Sequence, residues 1–373
     1  MKDFSVLEPA IDPNNRITFL LDWEITKKCN LDCSYCSIGI NGGHDNSYPH
    51  PDKDECIKVI DNMYEYVDLY MSTKPPGIKY VILNVYGGEA MHHPDIIEIL
   101  TEVRNKYKKY QDKWHLTITT TTNGIIKKEK LEKIIPLIDE FTFSFHAENT
   151  KIQKDWFISN AKIVKDNNKQ IKCIVLMHPK HFDECVAVAN TLKELDINHL
   201  PRQLDHSGRT HYTYTKAQMD YFEEMYNIKS FNDPFEFNIN VKDDNIDLAK
   251  DAGRACCGGR QLCTDQNYKL RTFYVKNRFK DWYCSVNHFF VFIRQADGAI
   301  FVNKDCKVSF NGDFLPIGNI NKFQELIDFT KDRITNNTLP VIKCIKDICQ
   351  CGLCAPKAKD INDYNKIIRK YYK

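Results

Sequence analysis

The sequence predicts an α/β protein of six parallel β/α units with a small cysteine-rich region behind them. Three observations predict it. Short β-branched and aromatic runs alternate with longer amphipathic segments from residue 16 to about 226. Polar stretches such as Gly87-Gly88-Glu89 and Thr122-Asn123-Gly124 follow the ends of those runs. Most of the 15 cysteines then crowd between Cys256 and Cys354. Strands alternating with helices of this length make parallel units, which fit a partial barrel or an open doubly wound sheet. In both, active residues gather where the strands end.

The β-branched and aromatic runs place strands at 17–26, 80–86, 116–122, 140–145, 171–177 and 199–203. The charged amphipathic stretches between them place helices at 51–70, 94–110, 128–138, 150–166 and 182–195, and a further helix at 216–226 follows the last strand. Residues 227–255 are rich in Asn and Asp, have weak periodicity and read as a linker. Two short strands, 288–294 and 299–303, flank Asp297-Gly298, a good hairpin turn. The tail, 360–373, reads as a short charged helix. The expected division is therefore 1–226, a linker at 227–255, and a cysteine-rich domain at 256–373.

Composition narrows the function. Lys and Arg number 52 against 50 Asp and Glu, so no global field draws the chain to nucleic acid or an anionic membrane. No apolar run approaches the ~20 residues of a spanning helix. The N-terminus has no secretory signal pattern. A cytoplasmic protein is expected, and there clustered cysteines bind metal or do redox chemistry rather than form a disulfide scaffold. Cys56, Cys173 and Cys185 are scattered and read as packing residues.

The sharpest motif is Cys29-Asn30-Leu31-Asp32-Cys33-Ser34-Tyr35-Cys36, directly after the first strand. Three thiolates on one tight loop can bind three irons of a cubane cluster and leave the fourth open. A structural zinc loop is the alternative, with His44 the nearest fourth ligand. Beyond the fourth strand, Ser144 and His146 face one side if Phe143 and Phe145 face the other. Glu148 is either a substrate-facing group or a helix-capping one. Arg202 belongs at the mouth if the strand order is right.

This ordered set resembles the radical S-adenosylmethionine (SAM) superfamily. The resemblance implies a partial (β/α)6 TIM-like barrel with a small C-terminal cysteine-rich auxiliary-cluster domain. It implies a [4Fe–4S] cluster on Cys29, Cys33 and Cys36, with SAM chelating the open iron and being cleaved to a 5′-deoxyadenosyl radical. Tyr35 would pack near adenine. Gly87, Gly88 and Glu89 would receive the SAM amino group, although the family's following proline is Ala90 here. Asn123 and Ser144 would lie beside SAM, and His146, Glu148 and Arg202 would be available to substrate.

The second cysteine group resembles the SPASM/Twitch class, which implies at least one auxiliary [4Fe–4S] cluster. Cys284, Cys306, Cys349 and Cys354 are the best ligands, with Cys351 competing. Cys256, Cys257 and Cys263 could serve a second site. The family's cysteine after the hairpin glycine would fall at Asn303, so the match is looser here. Structural zinc on four of these cysteines is the alternative.

The short stretch ahead of residue 16 leaves no room for an added peptide-binding domain, so a small molecule, such as a carbohydrate or nucleotide derivative, is the expected substrate. A peptide or protein is the alternative. An electron donor such as flavodoxin or ferredoxin is the expected partner. A zinc-binding interaction protein on an inactive barrel is the reading from another class.

Overall fold

The computed structural model describes residues 6–7, 16–36, 45–204, 212–226, 279–303, 306, 308–310, 312–313, 315–336, 338, 340–345 and 355–371. After the two-residue β1 (Val6–Leu7) come six long strands: β2 (Arg16–Thr26), β3 (Ile78–Gly87), β4 (His115–Thr122), β5 (Glu140–Phe145), β6 (Gln170–Met177) and β7 (Asn198–Gln203). They lie side by side in chain order, each parallel to the next. The order never reverses, so the switch point of a doubly wound sheet is absent among these strands. Sequential parallel order is that of a partial (β/α)6 barrel.

The helices between the strands are α1 (Lys53–Ser72), α2 (Ile96–Tyr107), α3 (Lys128–Ile134), α4 (Lys151–Asp166) and α5 (Phe182–Glu194), with α6 (Lys216–Tyr226) after β7. Local chemistry sets their ends. The Asp52 side chain caps α1 by accepting from the Asp54 N–H. Thr150 and Gln153 form a reciprocal capping box at α4. The helix expected over 128–138 is shorter: Pro136 cannot donate to the ladder, and Ile135–Leu137 tightens into a 3-10 turn.

Side chains alternate across each strand. On β2, Phe19, Leu21, Trp23 and Ile25 join the helices in one buried core. Phe141, Phe143 and Phe145 of β5 and Phe157 of α4 belong to the same core. The other face of the sheet is polar along its middle. The Asn84 side chain donates to Asp22 at 3.1 Å, and Thr119 donates to Asn84 at 3.3 Å. The helix-facing side of the barrel is thus apolar, while its inner side carries Asp22, Glu24, Asn84 and Thr119.

The C-terminal residues form β8 (Tyr283–Cys284), β9 (Phe290–Arg294), β10 (Ala299–Phe301), β11 (Gly318–Asn319), α7 (Phe323–Thr335), β12 (Ile342–Lys343), β13 (Lys357–Ala358) and α8 (Ile361–Tyr371). The hairpin expected around Asp297-Gly298 is present, with Gly298 at φ +72. Its strands are shorter than expected, because Val286–His288 is a 3-10 turn ahead of β9. Strand β9 pairs in parallel with β2, so β9, β10 and β11 extend the barrel sheet and cover its first edge. Strands β1, β13, β8 and β12 make a separate four-stranded sheet. Among the described residues, no helix is long and apolar enough to cross a membrane.

Candidate active site

The C-terminal ends of β2 to β5 bring the expected polar segments together. The chain leaving β2 runs beside the chain leaving β3. The Thr26 carbonyl accepts from the Gly88 N–H at 2.9 Å, and the Lys28 carbonyl from the Glu89 N–H at 2.8 Å. A Cβ on Gly87 would stand 2.1 Å from the Thr26 oxygen, and one on Gly88 2.4 Å from the Lys27 oxygen. Two glycines are needed because two backbones touch at this point. The root of the cysteine loop is therefore fixed by main-chain pairing.

Glu89 is 2% exposed. Its Oε1 accepts from the Thr122 hydroxyl at 2.8 Å and the Met91 N–H at 2.9 Å, and its Oε2 from the Asn123 N–H at 2.7 Å. Burial raises its pKa, and these donors work against the rise. The carboxylate thus fastens the end of β4 to the end of β3. Asn123 passes the order on: its side-chain nitrogen donates to Asn30 at 2.7 Å, inside the cysteine loop. Asn30 in turn donates to the Ile125 carbonyl at 3.3 Å.

The far half of the loop meets the end of β5. His146 Nδ1 lies 3.4 Å from Cys33 Sγ and 2.8 Å from the Tyr35 hydroxyl. The Tyr35 and His146 rings stack with centroids 5.8 Å apart and planes 11° from parallel. His178 and Tyr212 stand 5.9 and 6.4 Å from the Tyr35 ring. Burial pushes His146 down to about 4, with the Glu148 charge opposing, so the imidazole is neutral at pH 7. As the alternation requires, Phe143 and Phe145 are buried in the helix-facing core while Ser144 is half-buried on the other side. Glu148 turns toward Ser34. Arg202 sits in register with Leu176 of β6, one residue before the end of β7.

The three cysteines are half-buried and form no disulfide. Burial, then neighbouring negative charge, pushes the Cys29 and Cys33 thiols up to about 12. Cys33 feels the charge of both Cys29 and Cys36, and Cys29 that of Cys36; among the described residues no three His, Cys, Asp or Glu side chains close on a single ion. Three thiols on one short loop suit a cluster, where each cysteine takes a different iron. Binding would deprotonate them, so cluster insertion and proton release are linked.

Residues 23–198 match the family model described as the Radical SAM superfamily. The barrel belongs to the Radical SAM superfamily. No curated protein matches the chain by sequence. Among solved structures, the chain is similar to Streptococcus suis SuiB, at 15% identity and TM-score 0.47, covering 84% of this chain and 65% of that one. SuiB bound to precursor peptide SuiA gives 15% and 0.48, covering 84% and 64%. Native anSMEcpe with bound AdoMet and Cp18Cys peptide gives 12% and 0.45, covering 85% and 81%. The chain thus spans just under two thirds of SuiB.

Several residues packed around the cysteine loop emerge only in three dimensions. Asn30 and Ser34 lie between the cysteines but are unremarkable by type. Tyr212 lies beyond the six strands, and its place near Tyr35 leaves no trace in spacing. His178 was legible only as a polar residue after β6. Farther off, Cys284 and Cys306 are buried in one apolar cluster with Leu20 and Phe292. The backbone of Cys344 pairs with Asp281 and Trp282, just ahead of Cys284 in the chain. Cys349, Cys351 and Cys354, together with His44, Cys256, Cys257 and Cys263, lie outside the described residues.

Proposed function

We propose that this radical SAM enzyme abstracts a hydrogen atom from its substrate at the open end of the barrel. The observation that carries the reading is the three-cysteine loop paired by main chain to Gly87-Gly88-Glu89. When bound, a [4Fe–4S] cluster with SAM supplies one-electron cleavage of SAM and a 5′-deoxyadenosyl radical.

Cys29, Cys33 and Cys36 would hold the cluster. Gly87 and Gly88 let the root of the cysteine loop close on their backbone; the SAM amino group would be received at that edge, which Glu89 stiffens from behind. Tyr35, held by His146, offers a fixed aromatic face for adenine. Asn123 and Ser144 supply polar groups at neighbouring strand ends. Arg202, in register with Leu176 near the end of β7, would meet an anionic part of the substrate. The buried walls keep water away from a reactive radical. An electron donor such as flavodoxin or ferredoxin would supply the electron. We further assign Cys284, Cys306, Cys349 and Cys354, with Cys351 competing, to an auxiliary cluster that accepts an electron from the product radical or binds substrate.

Two substrate classes remain, a small molecule and a peptide or protein. The small-molecule expectation has no structural observation behind it. The peptide alternative has the peptides bound to SuiB and anSMEcpe beside it. The test uses both as arms: deuterated carbohydrates and nucleotides in one, deuterated peptides in the other. Deuterium in 5′-deoxyadenosine from the peptide arm alone establishes a peptide enzyme. Transfer from the other arm alone restores the small-molecule reading. SAM cleavage accelerated by neither set removes both.

A further inference from the structure

Glu148 has no part in the roles assigned above. It lies three residues past β5, in a turn closed by the Asn149 N–H and the His146 carbonyl at 3.2 Å. A substrate-facing acid would aim an oxygen into the barrel mouth. Both Glu148 oxygens aim at the cysteine loop instead. Oε2 accepts from the Ser34 N–H at 2.7 Å, and Oε1 accepts from the Ser34 hydroxyl at 2.5 Å. Behind it stands His178, 4% exposed, with Nε2 3.6 Å from Glu148 Oε1. His178 Nδ1 accepts from the Lys180 N–H at 3.2 Å. That bond fixes the neutral tautomer, so the ring proton sits on Nε2 and faces the carboxylate.

We propose that Ser34, Glu148 and His178 form a brace that positions the cysteine loop against the ends of β5 and β6. Ser34 stands between Cys33 and Cys36, so a tether at this residue holds both. The near half of the loop has its own fastenings, Gly88 to Thr26 and Asn123 to Asn30; the brace does the same for the far half. A carboxylate is electrostatically awkward there, because its field raises Cys33 and Tyr35. Its gain is geometric: two hydrogen bonds to an ionised acceptor are stronger than neutral ones and fix orientation as well. Glu148 is thus a positioning residue, and the proposal rests on the radical SAM reading of the loop.

The experiment uses the full chain, reconstituted without oxygen, as wild type, Glu148→Ala, Glu148→Gln, Ser34→Ala and Ser34→Thr. Four quantities are read: the rate of iron loss to a chelator, the change in the reduced cluster's electron paramagnetic resonance on adding SAM, KM for SAM against kcat, and the melting temperature. The brace predicts that Glu148→Ala loses the loop's iron about tenfold faster and shows a weakened SAM-induced spectral change, since hydrogen bonds to a charged group are being removed. KM rises more than kcat falls. Ser34→Ala, which keeps its N–H bond, lies between, and Ser34→Thr restores the wild-type rate of loss.

Wild-type iron retention and spectra in Glu148→Ala, with kcat collapsed, would overturn the brace and make Glu148 a substrate-facing acid. If Glu148→Ala does not fold, unchanged iron loss in both Ser34→Ala and Glu148→Gln overturns it equally. Alkylation of the metal-free protein separates the two readings. The brace predicts faster labelling of Cys33 and Cys36 in Glu148→Ala. A wild type that binds no cluster but shows this difference would lose the radical SAM reading and keep the brace.

Discussion

At the residue scale the site depends on contacts too close for a side chain. Gly88→Ala would drive a Cβ to within 2.4 and 2.5 Å of the Lys27 and Lys28 oxygens. The two backbones must separate, and the loop beginning at Cys29 moves with them. We expect the variant to reconstitute without iron at the first loop and to lose roughly 1–3 kcal/mol of stability from overpacking. Iron analysis and a urea melt check both. The motif residues were legible because their chemistry is written in spacing: three cysteines in eight residues, two adjacent glycines before an acid. What Glu89 touches was not legible. Its donors Thr122 and Asn123 lie at the end of another strand, and only the sheet brings them together. Glu148 is similar, since type alone left it between capping and catalysis.

At the element scale the sequence pattern located strands and helices to within a few residues. β5 and α6 have the expected bounds. Period-2 runs and capped amphipathic segments are local signals, and both survive into the fold. The misplaced boundary, α3, followed from a local rule as well: Pro136 ends the ladder early. Sheet membership was less accessible. Nothing in the run around Val291 says that it pairs with Leu21, some 270 positions earlier. The capping box offers a test of local encoding. Thr150→Ala removes the acceptor for the Gln153 N–H, so α4 should lose about 1 kcal/mol, read as a shifted urea midpoint at unchanged slope. Thr150→Ser should recover it.

For the whole molecule, the C-terminal region is fastened to the barrel through buried polar groups. His288 is fully buried, packs beside Tyr70 of α1, and its Nε2 is 2.7 Å from the Pro340 carbonyl. Burial, then the Lys74 charge, pushes it down to about 3. In the unfolded chain it titrates near 6.5. Above about pH 6.5 both states are neutral and stability is full. As pH falls toward 3 the unfolded state binds a proton that the folded state refuses, so stability drops by up to about 1.4 kcal/mol per pH unit from this group. Melting followed from about pH 7 to pH 4 should show the loss, and His288→Gln should flatten part of it. An identical slope in the variant would remove His288 from the account.

The central claim, that Cys29, Cys33 and Cys36 hold a cluster that cleaves SAM, is tested most directly by one measurement. The protein is reconstituted anaerobically with iron and sulfide, reduced, and assayed for 5′-deoxyadenosine from SAM, beside a Cys29→Ala, Cys33→Ala, Cys36→Ala triple variant. The account predicts deoxyadenosine from the wild type and none from the variant, with any iron left in the variant belonging to auxiliary cysteines. A wild type that takes up zinc instead of iron and leaves SAM intact would contradict it.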